Sequence, residues 1–334
     1  MIISRTPFRV SLFGGGTDYP KWYLDHGGAV FGFAINKYCY ISVRPLPPFF
    51  DYHHRIVYSQ VELVKRNDEI QHPAVRGVLM DQDVEIGLEV HHDGDLPARS
   101  GLGSSSSFTV GLLNALASLN GNTVEKKTLA EEAIRIEQDV VKEHVGSQDQ
   151  VWAAYGGINR IEFLKDGGFE VQPANLPSVR QEALVDNLLL YFTGFSRFAS
   201  EIAKKQIDNI GKRKKHLQTM TDLVDEALSV VQSESRPISE IGGLLHDSWQ
   251  LKRELADNVS TSEIDEIYET ARQAGAIGGK LLGAGGGGFM LLFVEPDKQP
   301  AVKEKLKNLV QVNFGIDDVG SKIVVYEPAG LENR

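Results

Sequence analysis

Leu96-Pro97-Ala98-Arg99-Ser100-Gly101-Leu102-Gly103-Ser104-Ser105-Ser106-Ser107 is the stretch on which the reading of this chain turns. It follows a strand-like run and opens a helical one. Glycines let the backbone fold tightly and bring several N–H groups toward one point. The free N–H groups and positive dipole end of the following helix favour an anion there. Serine hydroxyls add donors and an oxygen ligand for Mg²⁺, and two phosphates of a nucleotide fit the arrangement. A flexible Gly/Ser loop that merely caps a helix fits the same residues, so the segment alone leaves both readings open. No Gly-Lys-Ser/Thr follows at the spacing of a Walker A loop, which argues against the P-loop NTPase fold.

A second cluster, Gly283-Ala284-Gly285-Gly286-Gly287-Gly288, formally satisfies G-x-G-x-x-G. A dinucleotide fingerprint must open a helix. Here the strand-like Phe289-Met290-Leu291-Leu292-Phe293-Val294 follows instead. The pattern predicts a glycine hairpin between strands at 280–282 and 289–294. Four consecutive glycines are costly to order, so the hairpin is expected to meet a ligand or another backbone closely.

Working outward, strands are expected at 2–13 (an apolar stretch broken by Pro7), at 29–43, and at 84–90, where apolar and polar residues alternate. Helices are expected at 104–119, stopped by Asn120-Gly121, and at 127–143, with Leu129, Ala133, Ile136 and Val140 on one face. The second half reads as a strand at 188–192, largely helical sequence over 198–255, a helix at 302–310 and a strand at 322–326. The boundary between two domains is expected near residue 185, giving residues 1–185 and 186–334. The run Lys212-Arg213-Lys214-Lys215 lies in helical sequence and reads as a solvated face rather than a nucleic-acid patch.

The chain has 334 residues, 42% of them hydrophobic, enough for two domains with substantial cores. Its net charge of −10 argues against nucleic acid or an anionic membrane as the main partner. A single cysteine, Cys39, in a strand-like run, excludes an internal disulfide or a thiolate metal cluster. No signal peptide and no apolar run of transmembrane length is visible, so a cytoplasmic protein is expected.

Three segments in order resemble the motifs of the GHMP kinases: Thr6 to Tyr19 with its Gly14-Gly15-Gly16-Thr17-Asp18, Pro97 to Ser107, and Lys280 to Phe289. The resemblance covers nearly the whole chain. It implies an α+β fold of two domains, the first like ribosomal protein S5 domain 2 and the second ferredoxin-like. It also implies phosphoryl transfer from ATP with Mg²⁺ to a small-molecule hydroxyl, by a monomer or homodimer. Gly14 to Asp18, with Gly28-Ala29-Val30 and Ile35-Asn36-Lys37-Tyr38, resembles the branch acting on D-glycero-D-manno-heptose 7-phosphate, whose 1,7-bisphosphate feeds bacterial surface polysaccharides. Galactokinases carry Glu and His where Gly15 and Gly16 stand. Galactose, fucose or a related hexose is the alternative acceptor, and a non-catalytic sensor is a further one.

The resemblance also assigns residues. Asp149 matches the catalytic base and Arg9 the basic residue of the first motif. Pro97, Arg99, Ser100, Gly101, Leu102, Gly103, Ser104, Ser105 and Ser106 match the ATP loop, and Ser105 and Glu137 the Mg²⁺ ligands. Gly15, Gly16, Thr17 and Asp18, with Gly285, Gly286 and Gly287, are expected at the substrate. A phosphate already on the sugar needs its own cation, for which Arg197 is the first candidate, followed by Arg99 and Lys37.

Overall fold

The computed structural model describes residues 1–194 and 199–328. Its strands, in chain order, are β1 (Ile2–Phe13), β2 (Gly28–Pro45), β3 (His54–Val57), β4 (Val61–Val64), β5 (Leu88–Gly94), β6 (Ile158–Phe163), β7 (Phe169–Pro173), β8 (Leu188–Gly194), β9 (Gly278–Leu281), β10 (Gly288–Phe293), β11 (Val310–Val312) and β12 (Lys322–Tyr326). Two sheets result, with helices packed on them, so the class is α+β as expected.

The first sheet runs β12-β1-β2-β5-β3-β4, with β6 pairing β2 and β7. Its spine is the antiparallel pair β1 and β2. Apolar side chains such as Phe8, Val10 and Leu12 are buried along β1, each contributing about 2 kcal/mol by leaving water. Pro7 does not break β1. The register with β2 slips between Pro7 and Phe8, so the residue without an N–H sits at an irregularity, where it costs no ladder bond. The helix Ser104–Leu119 crosses this sheet and has the bounds its sequence predicts. Cys39 lies buried within β2, and burial pushes its thiol up.

The second sheet is antiparallel, in the order β11-β8-β10-β9. The helices Ala199–Asn209, Lys214–Gln232 and Glu240–Arg253 fill most of the stretch expected to be helical. β9 and β10 form the predicted pair around the second glycine cluster. Among the described residues, no helix is long and apolar enough to cross a membrane.

Four expectations are corrected. Residues 84–87 are not strand: the Val84 N–H caps the preceding helix, bonding Leu79 O at 3.0 Å, and pairing begins at Leu88. The helix expected over 127–143 is α-helical only over Lys126–Arg135, followed by a π-helical turn over Ile136–Val140. The helix expected at 302–310 spans Gln299–Lys305, with Pro300 in its first turn, a position where no N–H is required. Val310–Val312 is instead an edge strand on β8. Finally, the two sheets divide close to residue 185, but β12 returns to the first sheet and pairs with β1, so the last strand does not stay with residues 186–312.

Candidate active site

The three glycine-containing motifs converge on one cleft of about 200 Å³ between the sheets. Its first wall is the end of β1 and the turn after it. Arg9 is almost fully buried on β1. Its Nε donates to Asp149 Oδ1 at 2.7 Å and its Nη2 to Asp149 Oδ2 at 2.6 Å. The third guanidinium nitrogen, Nη1, donates to Gly101 O at 2.6 Å. One arginine therefore ties the carboxylate, in the first turn of the helix Gln148–Tyr155, to the glycine loop. A fork-to-fork pair of this kind fixes the carboxylate in orientation as well as charge.

Asp18 lies on the same wall, buried. Its Oδ1 accepts from the Gly16 N–H at 2.8 Å and its Oδ2 from Gln148 Nε2 at 2.8 Å. Burial, with Asp149 nearby, pushes its carboxyl above the ordinary value despite those bonds. A Cβ on Gly146 would stand 1.8 Å from Asp18 Oδ2, so only glycine fits opposite that carboxylate. Gly15 and Gly16 line the cleft. Thr17 does not: it is buried, its hydroxyl 2.8 Å from both Gly14 O and Ala29 O. Its role is to hold the turn onto β2.

In the glycine loop, Gly101, Gly103, Ser104 and Ser105 face the cleft. The other loop residues support them. Ser100 is buried and donates to Pro97 O at 2.6 Å, and Leu102 is in the core. Arg99 is exposed, and its backbone N–H donates to Ser104 Oγ at 3.1 Å. Ser106 is buried, donating to Glu137 Oε2 at 2.9 Å.

Glu137, on the π-helical turn, is buried and does not line the cleft. Its Oε2 also accepts from Gln150 Nε2 at 2.5 Å, while its Oε1 has no partner. Burial raises its carboxyl to about 7. An orphaned carboxylate oxygen beside a serine hydroxyl fits a hard, oxygen-seeking cation such as Mg²⁺. The hydroxyl that touches Glu137 is Ser106, whereas Ser105 faces the cleft.

The third wall is the second glycine cluster, where Gly283 and Ala284 line the cleft. Gly285 to Gly287, expected at the substrate, are set back. The Gly286 N–H donates to Val259 O at 3.0 Å, and a Cβ on Gly285 would lie 2.7 Å from the same carbonyl. The close approach expected of this hairpin is made by backbone. A Cβ on Gly283 would lie 2.5 Å from Gly101 Cα, and one on Gly288 2.3 Å from Ser100 O. The two glycine motifs pack directly on one another. Arg197 lies outside the described residues, and Lys37 does not line the cleft.

Two cleft lysines were not singled out from the sequence as site residues. Lys280 of β9 and Lys252 of the helix Glu240–Arg253 are 2% and 6% exposed. Lys252 had a signal: it continues the apolar face of Ile241, Leu245 and Trp249 at helical spacing. Lys280 stands in a fully buried strand, where a charge is unusual.

Residues 62–157 match the GHMP kinases N terminal domain and residues 228–311 the GHMP kinases C terminal domain. A D-glycero-alpha-D-manno-heptose 7-phosphate kinase from Campylobacter jejuni is 29% identical over 308 residues, covering 89% of this chain and 91% of that protein. A galactokinase from Pyrococcus furiosus is 27% identical, covering 91% and 92%. The crystal structure of a D-glycero-D-manno-heptose 1-phosphate kinase from Bacteriodes thetaiotaomicron has the same fold. Its TM-score is 0.72 at 23% identity, with 98% of this chain and all of the other covered. Two domain matches spanning more than half of the sequence, over a cleft assembled from all three motifs, show that the chain belongs to the GHMP kinases.

Proposed function

We propose that this kinase transfers the terminal phosphoryl of ATP to the anomeric hydroxyl of D-glycero-D-manno-heptose 7-phosphate, giving the 1,7-bisphosphate in the cytoplasm. The observation that carries the reading is the likeness to the Campylobacter heptose 7-phosphate kinase along nearly the full length of both chains. The arrangement of charges around the cleft supports it.

Phosphoryl transfer asks for positioning, charge compensation and a poised hydroxyl. Gly101, Gly103, Ser104 and Ser105 present donors for the phosphates of ATP. Asp18 and the Gly15-Gly16 backbone hold the sugar. Asp149 accepts the proton of the attacking hydroxyl as its oxygen bonds to phosphorus and the bond to ADP breaks. Arg9 holds Asp149 in orientation through its two parallel hydrogen bonds and leaves positive charge beside the transferring group. Glu137, with the hydroxyls of Ser105 and Ser106, would hold Mg²⁺, which offsets phosphate charge when bound.

The sugar's own phosphate requires a cation, and Arg213 supplies it in this reading. A narrow crevice lined by Gly16, Tyr19 and Gln206, all of which also line the cleft, runs to Arg213. Among the described residues its guanidinium has no ion-pair partner, and Lys212, Lys214 and Lys215 flank it. ADP release with heptose 7-phosphate, compared with galactose, fucose and unphosphorylated heptose, tests the assignment. Preference for an unphosphorylated hexose overturns it. No turnover with any sugar, alongside retained binding, points to a sensor.

A further inference from the structure

Lys252 and Lys280 face the cleft from beneath the junction of the two glycine motifs. Lys252 Nζ donates to Leu281 O at 2.8 Å and Gly283 O at 2.5 Å, and Lys280 Nζ to Leu12 O at 2.9 Å. Their partners are all carbonyls. Among the described residues, no carboxylate lies within 4.0 Å of either ammonium. A buried ammonium without an anion is costly. An ammonium has three N–H bonds, so the pair leaves donors unspent, and the open space beside them is the cleft.

The groups around the pair make it worse for charge. Arg9 on β1 opposes the charge on both lysines, and Lys280 opposes that on Lys252. Among the described residues, Asp18, whose own carboxyl is raised, is the acidic group that counteracts this for both. Asp149, spent on Arg9, Tyr19 and His144 complete the titratable lining. Burial lowers Lys280 to about 7 and Lys252 well below its ordinary value. Burial in the cleft thus disfavours the charged form of both amines, and an arriving polyanion supplies the missing counter-charge.

We propose that Lys252 and Lys280 are the counter-charge for the terminal phosphoryl of bound ATP, and that the pair takes up protons from solvent as the nucleotide binds. The site is placed for it: Lys252 anchors Gly283, which packs on Gly101 of the nucleotide loop, and Lys280 anchors Leu12, three residues beyond Arg9. The amines accept protons from buffer, no covalent bond changes, and the protons return when the phosphates leave. The inference rests on ATP as donor.

The test is calorimetric titration of the intact protein at pH 8, without Mg²⁺, in buffers of differing ionisation enthalpy. The probes are a non-hydrolysable ATP analogue, ADP and heptose 7-phosphate. The ATP analogue is expected to draw in protons and ADP fewer. The sugar phosphate is expected to draw in none. Lys280→Met and Lys252→Met, each checked by thermal melt, are expected to reduce the uptake and weaken the analogue about tenfold or more. Buffer-independent heats overturn the proposal, as does uptake unchanged in both variants. Equal uptake with ADP removes the terminal phosphoryl as the ligand, and uptake with the sugar phosphate transfers the site to the acceptor. Absence of any nucleotide binding defeats the ATP reading itself, and the proposal with it.

Discussion

Arg9 reaches Asp149 through two parallel hydrogen bonds of 2.7 and 2.6 Å while its remaining nitrogen holds Gly101 O. The residue expected to receive the proton and the loop expected to receive the phosphates are therefore fixed to one planar group. Asp149→Asn keeps the size of the side chain but removes the proton acceptor. It is expected to lower kcat by about 10²- to 10⁴-fold while leaving nucleotide affinity near wild type. Single-turnover ADP release with separate binding titrations measures both, and a loss under tenfold counts against Asp149 as the base.

The backbone contact between Gly101 and Gly283 makes a second prediction. In Gly283→Ala the new methyl would stand 2.5 Å from Gly101 Cα, at φ +74°. Backbone cannot yield as a flexible side chain does, so a cost of about 1–3 kcal/mol is expected. It should appear mainly as a raised KM for ATP. Gly243→Ala, on the exposed side of the helix Glu240–Arg253 with nothing within 4 Å, is expected to raise stability by about 0.5–1 kcal/mol at unchanged KM.

Glu137 predicts a pH dependence of stability in the metal-free protein. In the fold it keeps its proton up to about pH 7, against an ordinary value of 4.5. Below 4.5 folded and unfolded chains both carry the proton, and burial exacts nothing. From there to pH 7 the folded chain binds a proton the unfolded chain has lost, so stability falls as pH rises, by up to about 3 kcal/mol. Glu137→Gln removes that slope. Denaturation midpoints are expected to coincide near pH 4 and to favour the variant near pH 8, and the variant should need more Mg²⁺ for turnover. Parallel profiles refute the account.

Arg213→Ala is expected to raise KM for heptose 7-phosphate by about tenfold or more, the scale of a charge-assisted contact, with KM for ATP unchanged. Any turnover of unphosphorylated heptose should be unaffected. If the phosphorylated sugar is a substrate and its KM does not move, Arg213 is not its anchor, and the residues about Arg197 become the next place to look.

Much of this was legible in the sequence, for identifiable reasons. The bounds of the helix Ser104–Leu119 follow from local signals, a glycine–serine start and an Asn-Gly stop, and local signals survive folding. The Rossmann reading of residues 283–288 failed on what followed them, and the observed β9–β10 pair agrees. Residues 84–87 misled because alternation says nothing about which N–H is already used, here by a helix cap. Thr17 and Gly285 to Gly287 sit in the right motifs but turn to backbone neighbours. Of those neighbours, Ala29 and Val259 are separated in sequence from the motif residues they meet, so spacing could not reveal them. Lys280, and Lys252 despite its place on an apolar helix face, were passed over for a related reason: a lysine reads as solvated until its burial is seen.

The pairing of β12 with β1, Ile2 opposite Tyr326, also bears on how the molecule is made. On the ribosome the first strand emerges long before its outer neighbour, and a contact so distant along the chain is slow to form. Until residues 322–326 arrive, one edge of β1 stands open, the strand that carries Arg9. Arg9 therefore sits on an element whose hydrogen bonding is completed only after residues 322–326 have been synthesised.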